Sequence, residues 1–213
     1  MANNHSLDAA RKGARATREQ LRRFAREYGI HYSGIRDSAG NAFAVRTITS
    51  QGWRIGFLAV TEFVNWGTEG KEYVHIADYR DPVEIQHLLD SLERLTPRFD
   101  LFVLSYHGGT EYRLESEPAK RVFFRNAVDA GADIVWGHHP HVLQRWELRD
   151  TARETRKLIM YSLGNFISGQ THHLGPGQWR IDRAHTGDGL AMRVEVALTG
   201  GDATVLEAEP IFL

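Results

Sequence analysis

The spacing of apolar residues along the chain separates helical from extended segments. Helical spacing predicts helices over 17–28, 81–95 and 117–130, and residues 61–80, which show no clear period, are interpreted as a long loop. Apolar runs or alternation predict strands over 43–48, 53–60, 100–106, 133–136, 157–162, 189–198 and 203–212. Short glycine-containing turns join the first two and the last two strands into predicted hairpins. This order of elements indicates an α/β fold with some antiparallel sheet.

Individual residues mark the ends of the predicted helices. Thr17 and Gln20 have the spacing of a capping box, and Gly29 is predicted to end the same helix. Asp81 followed by Pro82 is typical of a helix start. The predicted inner faces are Leu21, Phe24, Ala25 and Tyr28 in the first helix and Val122, Phe123, Ala127 and Val128 in the third.

Length and composition favour one folded domain over 1–213 and exclude several functional classes. The 213 residues can bury a sizeable core. A formal net charge of -1 offers no basic surface for nucleic acid. The absence of cysteine excludes disulfides, thiolate metal sites and a cysteine nucleophile. No segment approaches the ~18 apolar residues of a membrane span, and the polar start is unlike a signal peptide. Neither observation fixes the compartment.

Three predicted strands end in polar, glycine-containing loops, which are HGGTE at 107–111, GHHPH at 137–141 and SLGNF at 162–166. Functional sites of α/β proteins collect at the carboxyl ends of the strands, so a site is expected where these loops meet. His107 precedes two glycines, which allow the backbone to approach a ligand closely. A turn histidine is the alternative for His107, and a turn or loop cap is the alternative for Asn165.

The His139-Pro140-His141 element carries the most chemical information. Proline favours an extended conformation for the residue before it, and residues two apart in extended chain project to the same side. The two imidazoles are therefore predicted to converge, and neutral imidazole suits Zn, Fe, Mn or Ni at a site without sulfur. A pair at one strand end with His107 at another favours metal ligands over loop histidines that only form hydrogen bonds. By the same alternation, His138 is predicted to point away from the pair, either behind the ligands or on the surface.

Other polar residues allow two interpretations. Glu111 is either a carboxylate that orients a ligating histidine or an ordinary surface charge. The His172-His173 pair lies in a glycine-rich stretch and is interpreted as a mobile loop, with a lid as the alternative. His31, His75, His87 and His185 follow no pattern and are interpreted as surface or core residues.

Five motifs taken together resemble a known family. They are ANNHSLD at 2–8, HGGTEY at 107–112, GAD at 131–133, GHHPHV at 137–142 and YSLGNF at 161–166. In this order they look like the ANNHxxD, HxGxEY, GAD, GxHPHV and YSLGNF signature of the CapA-like poly-γ-glutamate capsule synthesis proteins. That family is similar in fold to the calcineurin-like metallophosphoesterases.

The resemblance implies a calcineurin-like metallophosphoesterase-type layered α/β sandwich with a divalent metal ion, Zn, Mn or Fe. The implied metal ligands are Asn4, through its amide oxygen, and His107, His139 and His141. His5 is implied to contact the reacting oxygen and to act in catalysis with Glu111. The other site-lining residues implied are Asn3, Asp8, His138 and Asn165.

The chain departs from the family pattern in two respects. The family usually has tryptophan after the first histidine of HxGxEY, whereas Gly108 stands here, so a more open pocket is expected. A Gly-Asp strand and an Asn-Leu-Glu motif, which precede ANNH in the family and supply acidic ligands, are absent from 1–213. The chain is therefore interpreted as the C-terminal portion of such a domain, lacking its first strands. We expect residues 1–8 to be poorly held, at most one weakly bound metal, and little phosphoesterase activity. Restoring an upstream Gly-Asp segment should raise both the metal binding and the phosphoesterase activity.

The family association implies a role in the synthesis or export of capsular poly-γ-glutamate. The implied ligand is a polyanionic or peptide-like polymer, and capsule-synthesis proteins are the implied partners. If the site is active, a metal-activated hydroxide would attack a phosphoryl or acyl centre. The alternative is a non-catalytic accessory or binding protein with a vestigial site. An unrelated α/β hydrolase is disfavoured because the Gly-x-Ser-x-Gly elbow is absent. Family members are often membrane-anchored or extracytoplasmic, and the localisation of this chain stays open.

Overall fold

The computed structural model describes residues 1–36, 43–66, 69–169 and 183–213, together with the backbone of 173–175 and 178–179. The helices are α1 (Ala10–Tyr28), α2 (Pro82–Leu95) and α3 (Pro118–Asp129), with short 3-10 turns at Lys71–Tyr73 and Thr96–Arg98. The strands are β1 (Arg46–Ser50), β2 (Trp53–Thr61), β3 (Leu101–His107), β4 (Ile134–His138), β5 (Trp146–Asp150), β6 (Arg156–Met160), β7 (His173–Gly175), β8 (Gln178–Trp179), β9 (Leu190–Thr199) and β10 (Asp202–Phe212).

A six-stranded sheet in the order β1-β2-β3-β4-β6-β5 is the framework of the protein. Its central strands β2, β3, β4 and β6 run parallel, and β1 and β5 pair antiparallel at the two edges. The parallel register places Thr61 beside His107 and His107 beside His138 at the carboxyl ends of the strands. The predicted α/β class is thereby confirmed, as are the hairpins β1–β2 and β9–β10.

The largest part of the core lies between one face of this sheet and helices α2 and α3. Alternate strand residues such as Leu104, Tyr106 and Val135 are fully buried on this face. Leu88 of α2 and Phe124 of α3 pack in the same cluster. Each large apolar side chain buried in this way contributes roughly 1.5–3 kcal/mol of transfer free energy, which stabilises the sheet beneath the site.

Two elements cover parts of the opposite face of the sheet. The β9–β10 hairpin packs over β4 and β6, where Val205 joins Ile134 and Met160 in an apolar cluster. The N-terminal segment and α1 cover β2, where Leu7 and Ala59 belong to another cluster. Strand alternation projects His107 and His138 from this face as well, so the candidate site lies on the face opposite α2 and α3.

The helix predictions were right in position and partly wrong in detail. Helix α1 begins at Ala10 rather than at residue 17, and its N-cap residue makes no side-chain hydrogen bond, so the capping box is not used. Its predicted inner residue Tyr28 is 66% exposed. In α3 the predicted inner residue Val122 is 57% exposed, whereas Lys120 is fully buried. The caps at Gly29 and Asp81 are as predicted, because Gly29 is left-handed and the Asp81 side chain accepts two backbone N–H bonds.

Two strand and loop predictions also change. The β5 strand was missed because its sequence, WELRD, places charged residues among the apolar ones, as suits an edge strand. Residues 61–80 contain a 3-10 turn and isolated bridges between Thr61 and Ile76 and between Ile35 and Val74. This segment is therefore a packed connection, and His75 within it is a core histidine with no exposed surface.

The prediction that residues 1–8 are poorly held was wrong for the described structure. The Met1 ammonium group donates to the Ser33 carbonyl at 2.8 Å, and the backbone N–H of Asn65 donates to the backbone carbonyl of Asn4 at 2.8 Å. Ala2 and Leu7 are 4% and 2% exposed. The segment is held by apolar packing against β2 and by hydrogen bonds to loop residues rather than by pairing with a neighbouring strand.

Candidate metal centre

The candidate site is built on the carboxyl ends of neighbouring parallel strands. His107 ends β3 and His138 ends β4, and the parallel register makes them direct neighbours. Their Nδ1 atoms lie 2.7 Å apart, so one ring donates to the other. His138 Nε2 lies 2.8 Å from the Ser105 hydroxyl. His138 therefore stands behind His107, which is one of the two positions predicted for it.

A second group of atoms converges on the other nitrogen of His107. His107 Nε2 lies 2.9 Å from Asn4 Oδ1, and His139 Nδ1 lies 3.1 Å from His107 Nε2. The orientation of the Asn4 amide is set by its Nδ2, which donates to Asn65 Oδ1 at 3.0 Å. Asn4 and His139 are each 5% exposed. An amide oxygen and two ring nitrogens thus face one another with at most one proton between each pair, and a cation would satisfy all three.

The backbone that presents His139 and His141 differs from the prediction. Both residues have positive φ, at 101° for His139 and 61° for His141, so the segment is not extended and the predicted reason for their convergence was wrong. Positive φ in residues other than glycine costs of order 1–3 kcal/mol, and such residues cluster at active sites and ligand clamps. The bend nevertheless brings the rings together, with centroids 5.8 Å apart.

His141 links the site to two further polar residues. Its Nδ1 lies 2.9 Å from Asn165 Oδ1, and its Nε2 lies 3.8 Å from Glu111 Oε1. Asn165 Nδ2 donates to the Thr186 carbonyl at 3.0 Å, which fixes the amide. Ligand atoms of Glu111, His139 and His141 lie within 4.8 Å of one another, so this group can hold a metal ion.

His5 lies at the exposed margin of the site. Its Nδ1 is 2.7 Å from Asp8 Oδ2, and its side chain is 64% exposed. Asn3 Oδ1 accepts from the His5 backbone N–H at 2.9 Å and shapes this turn. Asn65, which orients Asn4, lies within 3.5 Å of both ring nitrogens of His5. His5 is therefore connected to Asn4 through one shared neighbour.

Burial keeps the inner histidines neutral. Loss of solvation lowers the pKa of His138 to about 3 and of His139 to about 4, and it lowers the pKa of His107 as well. Nearby positive charge, including that of Lys120, acts in the same direction. Because these rings stay neutral at neutral pH, His107 and His139 can each offer a nitrogen lone pair to a ligand, while His138 uses both of its nitrogens in bonds to His107 and Ser105.

Several residues around the site were not predicted. Asn65 orients Asn4, and two buried charged side chains, Glu62 and Lys120, support the loop after His107. Glu62 follows β2 as the 107–111 loop follows β3, so its place at a strand end was a usable signal. Lys120 was detectable by its helical spacing to Phe123, Phe124 and Ala127. His172 lies outside the described residues, as does the side chain of His173, so their predicted loop or lid is not described.

The chain matches the family described as "Bacterial capsule synthesis protein PGA_cap" over residues 1–170. The chain belongs to this family. The family prediction made from the five motifs is thereby confirmed, and four of those motifs supply the residues gathered at the site. Relatives include the capsule biosynthesis protein CapA of Bacillus anthracis, which is 33% identical over 175 residues. The PGA biosynthesis protein CapA of Bacillus subtilis (strain 168) is 30% identical over 172 residues.

The alignments cover most of this chain but less than half of each CapA protein. The alignments cover 80% and 79% of this chain but only 39% and 42% of the two CapA proteins, so the chain spans about two-fifths of their length. The crystal structure of a hypothetical protein from Thermus thermophilus is similar with a TM-score of 0.43 and 17% identity, covering 82% of this chain and 62% of that one. This likeness is too distant to support a functional assignment. Within the described residues, every helix is too short or too polar to cross a membrane.

Proposed function

We propose that this capsule synthesis protein binds one divalent metal ion between the N-terminal segment and the ends of β3 and β4, and that the ion serves hydrolysis of a capsule-related substrate. The observation that carries the proposal is the convergence of Asn4 Oδ1, His107 Nε2 and His139 Nδ1 within 2.9–3.1 Å of a neighbour. Glu111 and His141 have ligand atoms within 4.8 Å of one another and of one on His139, and we propose that they complete the ligand set.

The chemistry of the donor set agrees with a single ion of Zn, Mn or Fe. Imidazole nitrogens suit these metals, and carboxylate and amide oxygens are tolerated beside them. Asn4 and the histidines are neutral ligands, so Glu111 brings the negative charge of this set. A second cation a few ångströms away would meet little compensating charge, which favours one ion over two.

The neighbouring residues fit a hydrolytic role. A bound divalent ion would polarise a phosphoryl or acyl oxygen and lower the pKa of a water molecule. His5, held by Asp8, is exposed at the margin and is suited to give a proton to the leaving group. Asn65 keeps the amide oxygen of Asn4 directed inward. Asn165 fixes the orientation of the His141 imidazole through the contact of its Oδ1 with His141 Nδ1.

The substrate class follows from the family. The relatives are described as capsule and PGA biosynthesis proteins, so we propose that the ligand is a polyanionic or peptide-like capsule polymer. Other capsule-synthesis proteins are the proposed partners. A non-catalytic protein that binds the polymer through the same site is the alternative, and the experiment below separates the two.

The test combines metal analysis with a cleavage assay. Purified protein is incubated with Zn²⁺, Mn²⁺ or Fe²⁺, dialysed, and analysed for metal content together with His139→Ala and the exposed-histidine control His31→Ala. We expect up to one equivalent in the wild type and in the control, and none in His139→Ala. Poly-γ-glutamate and a generic phosphodiester are then supplied as substrates. Metal-dependent cleavage supports the hydrolase, and polymer binding without cleavage supports the accessory protein. Two tightly held equivalents, or no binding at all, would contradict the single-ion site.

A further inference from the structure

Buried charged side chains on two sides of the loop after His107 form hydrogen bonds to its backbone. Glu62, at the end of β2, is 2% exposed, and Lys120, on the inner face of α3, has no exposed surface. Both bond to the main chain of Gly108 and Gly109 rather than to substrate-accessible groups. Neither belongs to the motifs that relate the chain to its family.

Glu62 holds the loop from the β2 side. Its Oε2 accepts from the Gly109 N–H at 2.7 Å, and its own backbone N–H donates to the His107 carbonyl at 2.8 Å. Its Oε1 accepts from the Arg80 guanidinium, which also donates to Asp78 Oδ1 at 3.1 Å. The carboxylate is thus fixed in turn by a second charged side chain. Glu62 ties the 107–109 segment to the end of β2 through one side-chain bond to Gly109 and one backbone bond to His107.

Lys120 holds the same loop from the helix side. Its ammonium group donates to the Gly108 carbonyl at 2.8 Å and to the Tyr161 carbonyl at 3.0 Å. Tyr161 directly follows β6, so this one side chain joins the end of β6 to the loop that follows β3. The His138 carbonyl adds a third bond to this loop by accepting from the Gly108 N–H at 3.0 Å.

Gly108 and Glu62 depend on each other. A Cβ atom at Gly108 would lie 2.6 Å from Glu62 Oε2 and 2.7 Å from Glu62 Cβ. The pocket that Gly108 was expected to open is therefore filled by Glu62, and that expectation was wrong. A larger residue at position 108 requires the carboxylate to move away from the Gly109 N–H.

Burying two charges is costly, and apolar side chains of similar size would often serve stability as well. We propose that Glu62 and Lys120 are positioning residues, which hold the loop so that His107 Nε2 faces Asn4 and His139. The inference rests on the proposed metal centre for its purpose. The positioning itself is a property of the metal-free chain and can be measured there.

The experiment uses Co²⁺ as the probe, because its visible absorption reports ligand geometry. Glu62→Leu and Lys120→Met should weaken Co²⁺ binding roughly 10–100-fold, the range seen when residues that orient metal ligands are replaced, and should alter the absorption band. Glu62→Gln keeps an oxygen for the Gly109 N–H and should restore most of the affinity and the band. The exposed-lysine control Lys71→Met should match the wild type.

Two further variants cover the case in which a core replacement fails to fold. Gly108→Ala displaces Glu62 without deleting it, and its Cβ would also press on Tyr106 Cε1 at 2.8 Å, so it should reproduce the weakened binding. Arg80→Gln removes only the partner of Glu62 Oε1 and should weaken Co²⁺ binding less than Glu62→Leu does. Folded variants that keep wild-type affinity and absorption would overturn the proposal.

A metal-free measurement separates this inference from the proposed function. Amide exchange at Gly109 and the ring ¹⁵N shifts of His107 are compared between wild type and Glu62→Leu without metal. Faster exchange with shifted ring signals supports positioning even if the wild type fails to bind Co²⁺, in which case the metal proposal alone is lost. Unchanged exchange and ring signals would overturn the positioning role.

Discussion

The two ends of the parallel sheet bury polar groups in opposite ways. At the amino ends of β4 and β6, the Lys157 ammonium pairs with Asp133 Oδ1 and donates to the Ala203 carbonyl at 2.6 Å. The other carboxylate oxygen accepts from the Phe102 N–H at 2.6 Å. At the carboxyl ends, neutral groups meet instead, with His107 Nε2 lying 2.9 Å from Asn4 Oδ1 and 3.1 Å from His139 Nδ1.

We interpret the first as a structural site and the second as the proposed ligand site. In the Asp133–Lys157 pair each charge meets an opposite charge and further hydrogen bonds, so the site is complete within the chain. The histidine cluster is made of neutral groups that bond to one another, and His139 and His141 in it lie on strained backbone. If the cluster holds the proposed ion, removing these groups should affect ligand binding more than folding.

The largest effect is expected from breaking the ion pair. Lys157→Met leaves the Asp133 carboxylate buried without its cation, and it should lower the free energy of unfolding by about 3–5 kcal/mol. Urea unfolding at neutral pH measures this, with the exposed Lys71→Met as a control that should change stability little. A loss below about 1 kcal/mol would show that the pair contributes far less than other buried pairs.

The next effect concerns a buried histidine that is satisfied within the chain. His75 Nδ1 lies 3.0 Å from the Ala59 carbonyl, and the Ala44 N–H donates to its Nε2 at 3.2 Å. Burial lowers the pKa of His75 to about 4. The unfolded chain, with a histidine pKa near 6.5, binds the proton first, so stability is complete above pH 6.5 and falls as pH drops towards 4. The loss for this one group approaches about 3 kcal/mol.

The measurement is urea unfolding at several pH values between 7.5 and 4. Because other buried histidines contribute to the same slope, the comparison is between wild type and His75→Gln. The variant should lose less stability on acidification, whereas His31→Gln, at an exposed position, should follow the wild type. Identical slopes for all three proteins would mean that His75 titrates normally in the folded state.

At the histidine cluster the effect should be on binding. His139→Ala should weaken Zn²⁺ binding at least ~100-fold, which is about 2.7 kcal/mol, because it removes the residue that both ligand groups share. Addition of Zn²⁺ should raise the melting temperature of the wild type and should have little effect on the variant. Lys157→Met, if folded, should still respond to Zn²⁺. If Zn²⁺ raised the melting temperature of His139→Ala as much as that of the wild type, the ion would have to bind elsewhere.

The smallest effect is expected at Asn165, which orients His141 without reaching the other ligands. Asn165→Ala should weaken Zn²⁺ binding by about 10-fold. Asn165→Asp keeps an oxygen for His141 Nδ1 and should bind more tightly than Asn165→Ala. Competition titration with a chromophoric chelator resolves such differences, and equal affinity of the two variants would argue against an orienting role.

The sequence predicted the parts that depend on local pattern. Apolar periodicity located α2, α3 and the central strands, and the loops at strand ends identified His107, His139 and His141 as neighbours. It failed where distant contacts decide the outcome. The positive φ of His139 overrides the extended preference before proline, and Glu62 acquires its role only through the parallel pairing of β2 with β3. The order of residues 1–8 likewise arises from burial against β2.

The wide separation of the site residues along the chain has a consequence for the order of folding events. Asn4 and His107 lie 103 positions apart, and their meeting requires the parallel pairing of β2, β3 and β4. Contacts of such long range form late and slow the search for the native topology. A metal ion therefore has no complete site to bind until the sheet is assembled. A bound ion should leave the rate of refolding almost unchanged and should lower the rate of unfolding. It would therefore stabilise the assembled structure without guiding its assembly.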